Sequence, residues 1–203
     1  MKLQVEDLVQ TPIPTKHGQF ILHYFSNNKD SKEHIALVKG EVAGKSNVPV
    51  RIHSECFTGD VLGSRRCDCG EQLDMAMRMI NDSGYGVLIY LRQEGRGIGL
   101  LKKLQAYNLQ DQGLDTVDAN IQLGHLADER EYGIAALILQ NLQVNSIRLI
   151  TNNPQKIDGL KQWGIRVSGR IPVEIVAHDE NVGYLKTKAD KMAHWLFSNK
   201  KTD

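Results

Sequence analysis

The chain has 203 residues, 41% of them hydrophobic and 24% charged, with a formal net charge of +1. That is the balance of a soluble globular domain; it argues against a nucleic acid polymer as partner and leaves any phosphate binding to local groups. Residues 1–7 lack a signal peptide's apolar core and no stretch approaches the roughly 20 apolar residues of a membrane span, so a cytoplasmic protein free of the membrane is expected.

In chain order, residues 19–25, 34–38 and 48–52 read as strands separated by polar turns. From 70 to 81, Leu73, Ala76, Met77 and Ile80 recur at helical spacing, and Gly84 stops the helix. Residues 86–91 form a buried strand, and a helix is expected over 98–109. A further helix is expected from Asp128, a capping residue with Glu131 three positions on, through Ile134, Leu137, Ile138 and Leu142. The strand 147–150 follows, then a helix opened by Pro154 after Asn153. A last amphipathic helix over 187–197 leads into a frayed tail at 198–203. The alternation predicts an α/β fold: a mixed β-sheet covered by helices in an α/β/α arrangement, with an N-terminal β-rich portion. One domain over residues 1–203 is expected.

The three cysteines, Cys56, Cys67 and Cys69, fall within fourteen residues. An odd, clustered set in a chain expected in a reducing compartment points to a metal, not to disulfides. Structural zinc is closed by four protein ligands, whereas catalytic zinc keeps three and leaves the fourth position to water. Three sulfurs therefore point to a water-activating zinc, with unrelated buried thiols as the plain alternative. His53 leaves a question open, since a histidine ligand would close the site and make it structural. His53-Ser54-Glu55 also mimics the His-x-Glu of zinc deaminases. The later pair Cys67-Asp68-Cys69, however, has one residue between its thiols and no proline before it.

Two nucleotide motifs fall short. Gly40-Glu41-Val42-Ala43-Gly44-Lys45-Ser46 is one residue short of a P-loop, and Asn47-Val48-Pro49 does not begin the required helix. Gly95-Arg96-Gly97-Ile98-Gly99 follows a strand and opens a helix, but Leu100 takes the third glycine position of the dinucleotide pattern. Basic residues crowd the same stretches: Arg51, Arg65, Arg66, Arg92, Arg96, Lys102 and Lys103. Arg130, Thr151 and Lys156 sit at helix starts or strand ends, where α/β proteins bind ligands. Singly each reads as a solvated surface group; together, beside a zinc, they suggest a polyphosphate substrate.

Taken jointly, several segments resemble the GTP cyclohydrolase II family. They include Arg51-Ile52-His53-Ser54-Glu55-Cys56, Thr58-Gly59-Asp60, Arg66-Cys67-Asp68-Cys69-Gly70 and Arg92-Gln93-Glu94-Gly95-Arg96-Gly97-Ile98-Gly99-Leu100. Ala106-Tyr107, Leu109-Gln110-Asp111, Asp115-Thr116-Val117 and Ala127-Asp128-Glu129-Arg130 follow in order, then Leu149-Ile150-Thr151-Asn152-Asn153-Pro154-Gln155-Lys156. The resemblance spans about residues 10 to 197, without the synthase domain of bifunctional relatives, and so implies the stand-alone form. It implies conversion of GTP to 2,5-diamino-6-(5-phosphoribosylamino)pyrimidin-4(3H)-one with release of formate and diphosphate, the opening step of riboflavin biosynthesis. It also implies one Zn²⁺ per subunit on Cys56, Cys67 and Cys69, Mg²⁺ on the GTP phosphates, and a homodimer. Tyr107 would serve the zinc-bound water, Arg130 would be a nucleophile toward the α-phosphorus, and Asp128 its proton acceptor. A guanidinium with a pKa above about 12 is a poor nucleophile, and chemistry alone makes Arg130 an electrostatic clamp. Implied substrate contacts are Arg51, Glu55, Gln72, Glu94, Arg96, Thr116, Thr151 and Lys156. Alternatives are a relative that stops at the formylated ring-opened product, or a zinc nucleotide-binding module without turnover.

Overall fold

A computed structural model describes residues 2–173, 181–192, 194 and 195. Among them, seven strands form one sheet in the order β1-β2-β3-β5-β4-β6-β7. The strands are β1 (Val5–Thr15), β2 (Gly18–Asn27), β3 (His34–Lys39), β4 (Val48–Ser54), β5 (Gly86–Leu91), β6 (Ile147–Ile150) and β7 (Val167–Ile171). β1, β2, β3 and β5 pair antiparallel, whereas β5, β4, β6 and β7 pair parallel. The helices are α1 (Phe57–Asp60), α2 (Cys69–Asp82), α3 (Leu100–Asp111), α4 (Thr116–Gln122), α5 (Gly133–Asn141), α6 (Pro154–Gln162) and α7 (Val182–Met192). This is the expected mixed α/β fold. None of the described helices is long and apolar enough to cross a membrane.

The period-two pattern of β4 decides what faces what. Val48, Val50 and Ile52 enter a core shared with Val87 and Ile89 of β5, Ile147 and Leu149 of β6, and Ile138, Leu139 and Leu160 of the helices α5 and α6. Arg51 and His53 face the other way, toward α2, whose Ala76 and Ile80 pack on Phe20, Leu88 and Ile150. Helices thus cover both faces. Because β5 and β6 flank β4 on opposite sides, the chain ends of these parallel strands open a crevice at a switch point of the topology.

Three expectations are corrected. The helix expected from Asp128 begins at Gly133, with Tyr132 as its cap. Asp128 instead accepts from its own neighbour, Arg130 N at 3.0 Å and Nε at 2.8 Å, and Glu131 N donates to Gln93 Oε1 at 3.2 Å, so no capping box forms. Arg130 therefore lies in a loop, not on a first helical turn. The last helix spans Val182–Met192 instead of 187–197; residues 193 and 196–203 lie outside the described set. The helix expected over 98–109 starts at Leu100, because Gly99 adopts φ +86°.

Candidate active site

The chain leaves β4 at Ser54 and places Cys56 just before α1; Cys67 and Cys69 return at the start of α2. The three sulfurs lie within 4.8 Å of one another, with Cys56 and Cys67 3.6 Å apart. Asp60 fixes this loop: its carboxylate accepts from Cys56 N at 2.9 Å and Tyr90 OH at 2.8 Å. His53 Nε2 lies 3.0 Å from both Asp60 oxygens. His53 is thus committed to Asp60, and the metal-binding group among the described residues is the three cysteines alone. Gly59 backs them, since a Cβ there would come within 2.9 Å of Cys67 Sγ and 3.1 Å of Cys56 Sγ.

The donor set fits a cation. Hydrogen bonds from Cys67 and Cys69, with Lys103 nearby, hold the Cys56 thiol far below its usual range. In return Cys56 pushes Cys67 up to about 11, and Cys56, Cys67 and burial push Cys69 up as well. Three thiolates at this spacing need a metal among them to be charged together. Lys103 Nζ reaches Cys56 Sγ at 3.1 Å and Glu94 Oε1 at 2.8 Å.

All the expected site residues except Asp128 line one cavity over the C-terminal ends of β4, β5 and β6; Asp128 stands behind Arg130. Tyr107 OH lies 3.2 Å from Thr58 Oγ1, and burial raises its pKa, so it remains a neutral phenol. Arg51 donates to Ile150 O at 3.0 Å and to Gln72 Oε1, and Gln72 in turn to Asp68. Lys156 Nζ donates to Ile52 O at 2.7 Å; burial, with Arg51, Arg130 and Lys188 nearby, pushes it well below the usual lysine range. Thr151 is buried at the end of β6. Thr116 opens α4 behind Asp115, which caps Val117 N at 2.8 Å.

The glycine-rich turn is a run of left-handed residues. Gly95, Arg96 and Gly97 have φ of +62°, +62° and +100°, a conformation that costs a non-glycine residue on the order of 1 kcal/mol. This conformation brings Arg96 to the cavity wall, Nη1 donating to Ala127 O at 3.3 Å. Burial opposes the charge of Arg130, but Tyr132, the hydrogen bonds to Asp128 and the Asp128 charge hold its pKa above the ordinary guanidinium range.

Two expected carboxylates part company. Glu94 accepts from Phe57 N at 2.6 Å, Gly95 N at 2.8 Å and Lys103, so it is spent on scaffolding. Glu55 makes an ion pair with Arg92 Nε at 3.0 Å on the cavity wall. Sequence reasoning missed Tyr184, Lys188 and His194, which also line the cavity, because nothing in their spacing sets them apart from an ordinary polar helix end. The buried Nε of Arg51, Nη2 of Arg96 and Nε2 of His194 have no hydrogen-bond partner.

Residues 6–172 match the family model for GTP cyclohydrolase II. Riboflavin biosynthesis protein RibBA of Chlamydia muridarum is 55% identical over 193 residues, 95% of this chain and 46% of that protein. RibBA of Bacillus cereus strain B4264 is 54% identical over 188 residues, 93% of this chain and 47% of that protein. The chain thus spans about half the length of the curated relatives it matches. A solved structure of RibBX, a two domain 3,4-dihydroxy-2-butanone 4-phosphate synthase from A. baumannii, covers 85% of this chain and 41% of its own. Its identity of 23% and TM-score of 0.48 carry no argument about function.

Proposed function

Because this chain belongs to the GTP cyclohydrolase II family, we propose that it converts GTP and water to 2,5-diamino-6-(5-phosphoribosylamino)pyrimidin-4(3H)-one, formate and diphosphate, in riboflavin biosynthesis. One observation carries the reading: a single cavity collects three thiols fit for zinc together with Arg51, Arg96, Arg130 and Lys156. Cys56, Cys67 and Cys69 would hold the zinc, which would supply the acidification of water needed for hydrolysis at C8 of guanine. Tyr107, a protonated phenol beside the cysteines, would position that water or exchange a proton with it. Lys103 draws charge from the Cys56 sulfur through a charge-assisted hydrogen bond, which moderates a strongly donating ligand.

Glu55 is the carboxylate that reads the guanine N1–H and N2–H₂ edge, because Glu94 is already engaged by Phe57 N, Gly95 N and Lys103. Glu55→Gln is expected to weaken GTP binding by about 10- to 100-fold, the worth of a charged hydrogen bond, and to erase the preference for GTP over its analogue lacking the 2-amino group. Unchanged preference in competition kinetics would move the base contact elsewhere. The unpartnered donors of Arg51 and Arg96, with Arg130 and Lys156, take the phosphates. Mg²⁺ enters on the phosphate oxygens as part of the substrate.

Arg130 serves as a clamp on the phosphorus undergoing substitution. Its guanidinium is doubly engaged by Asp128 and firmly protonated, which suits charge stabilisation and opposes attack through nitrogen. The product's mass tests the overall reading. The deformylated diaminopyrimidine ribosyl phosphate is expected, and a product heavier by one carbonyl would mean that the enzyme stops at the formylated intermediate.

A further inference from the structure

The family match ends at residue 172, yet the chain beyond it returns to the cavity, where Tyr184, Lys188 and His194 form part of the wall. Three contacts hold this return. Lys188 Nζ donates to Asp68 Oδ1 at 2.6 Å, both groups buried, so the residue between Cys67 and Cys69 is tied to α7. Lys191 pairs with Asp115 and, at 3.0 Å, with Asp118 around the start of α4, beside Thr116. Trp195 N donates to Asn152 O at 3.0 Å, and its ring receives the Arg170 guanidinium at 4.9 Å. The segment therefore runs from the cysteine loop to the end of β6 across the cavity.

His194 sits where this segment meets the cations. The basic groups acting on its ring are Lys188 of α7, Arg130 before α5, Lys156 of α6 and Arg96 of the glycine turn. Its Nε2 is buried without a partner, like the free donors of Arg51 and Arg96 in the same cavity. An imidazole in the field of Lys188, Arg130 and Arg96, with an unused nitrogen, is arranged for an anion, not for packing.

Resting on the nucleotide reading above, we propose that His194 is a substrate-binding residue that contacts the polyphosphate, and that Lys188 positions it by anchoring α7 to the Cys67-Asp68-Cys69 loop. Burial, and then the basic groups Lys188, Arg130, Lys156 and Arg96, hold His194 down to about 3, so it is neutral before substrate arrives. Phosphate charge offsets that field, and the imidazole gains a proton and donates from Nε2 to a phosphate oxygen. Lys156, whose charge burial also suppresses, takes up a proton of its own. The difference between wild type and His194→Gln therefore isolates the imidazole.

The test is calorimetric titration of the full chain with inorganic triphosphate, GTP and guanosine, each in two buffers of different ionisation enthalpy. His194→Ala is expected to weaken inorganic triphosphate and GTP alike by at least about tenfold and to leave guanosine unchanged. His194→Gln, which keeps a hydrogen-bond donor but cannot ionise, is expected to take up fewer protons on binding than the wild type. Proton uptake equal to the wild type's, or an equal loss for guanosine, overturns the proposal. GTP binding indifferent to both substitutions overturns it alone, whereas a wild type that binds neither GTP nor triphosphate sinks the nucleotide reading with it.

Discussion

Replacing Cys67 with serine is expected to strip the chain of zinc and to slow formate release by at least about a thousandfold, the rate equivalent of several kcal/mol of metal-ion catalysis. A serine hydroxyl is a poor substitute for a thiolate, and Cys67 lies 3.6 Å from Cys56 in the cluster. Diphosphate release, which the proposed reading assigns to Arg130 and Lys156, should fall far less. Elemental analysis with single-turnover assays of both products measures the split. Zinc retained at full occupancy with normal formate release would contradict the three-thiolate site. An equal collapse of both products would mean that the Asp68–Lys188 contact transmits damage from the cysteine loop to the phosphate end.

The second large effect belongs to Arg130. Arg130→Ala is expected to slow diphosphate release by about 10²–10³, the worth of one preorganised donor at a developing charge. Arg130→Lys should recover at least about tenfold of that loss, because a lysine restores the positive charge while losing the bidentate geometry. Asp128 holds the guanidinium from one side, at 2.8 Å to Nε, and leaves the rest of Arg130 to the cavity. Rapid-quench measurement of diphosphate in a single turnover reads the step directly. A lysine variant no better than alanine, together with a phosphoramidate adduct trapped on Arg130 in the wild type, would restore the nucleophile.

Much of this arrangement is legible in the sequence, and the exceptions have physical causes. The alternation Val48, Val50, Ile52 against Arg51 and His53 announces a strand with two different faces, and Asn153-Pro154 announces a helix start; Asn153 Oδ1 indeed accepts from Gln155 N at 2.9 Å. β1 is obscured because it is an edge strand, largely exposed and carrying Pro12 and Pro14, which leaves no clean hydrophobic alternation. Asp128 imitates a helix cap because a capping carboxylate and one that grips its neighbour two residues on look alike in sequence. His53 is ambiguous until Asp60 is seen to occupy its Nε2. The role of Lys188 depends on a partner 120 residues away, and nothing in its local spacing reports that contact. Glu94 and Glu55 look equivalent as carboxylates, and only their partners separate them: Glu94 holds Phe57 N, Gly95 N and Lys103, whereas Glu55 pairs with Arg92.

The most direct test of the central claim is one reaction of purified, zinc-replete protein with GTP and Mg²⁺, assayed for formate and diphosphate together. A zinc centre and a phosphate clamp in one cavity predict both products in equal amounts. Diphosphate without formate, from protein with zinc confirmed bound, would contradict a cavity that completes both hydrolyses.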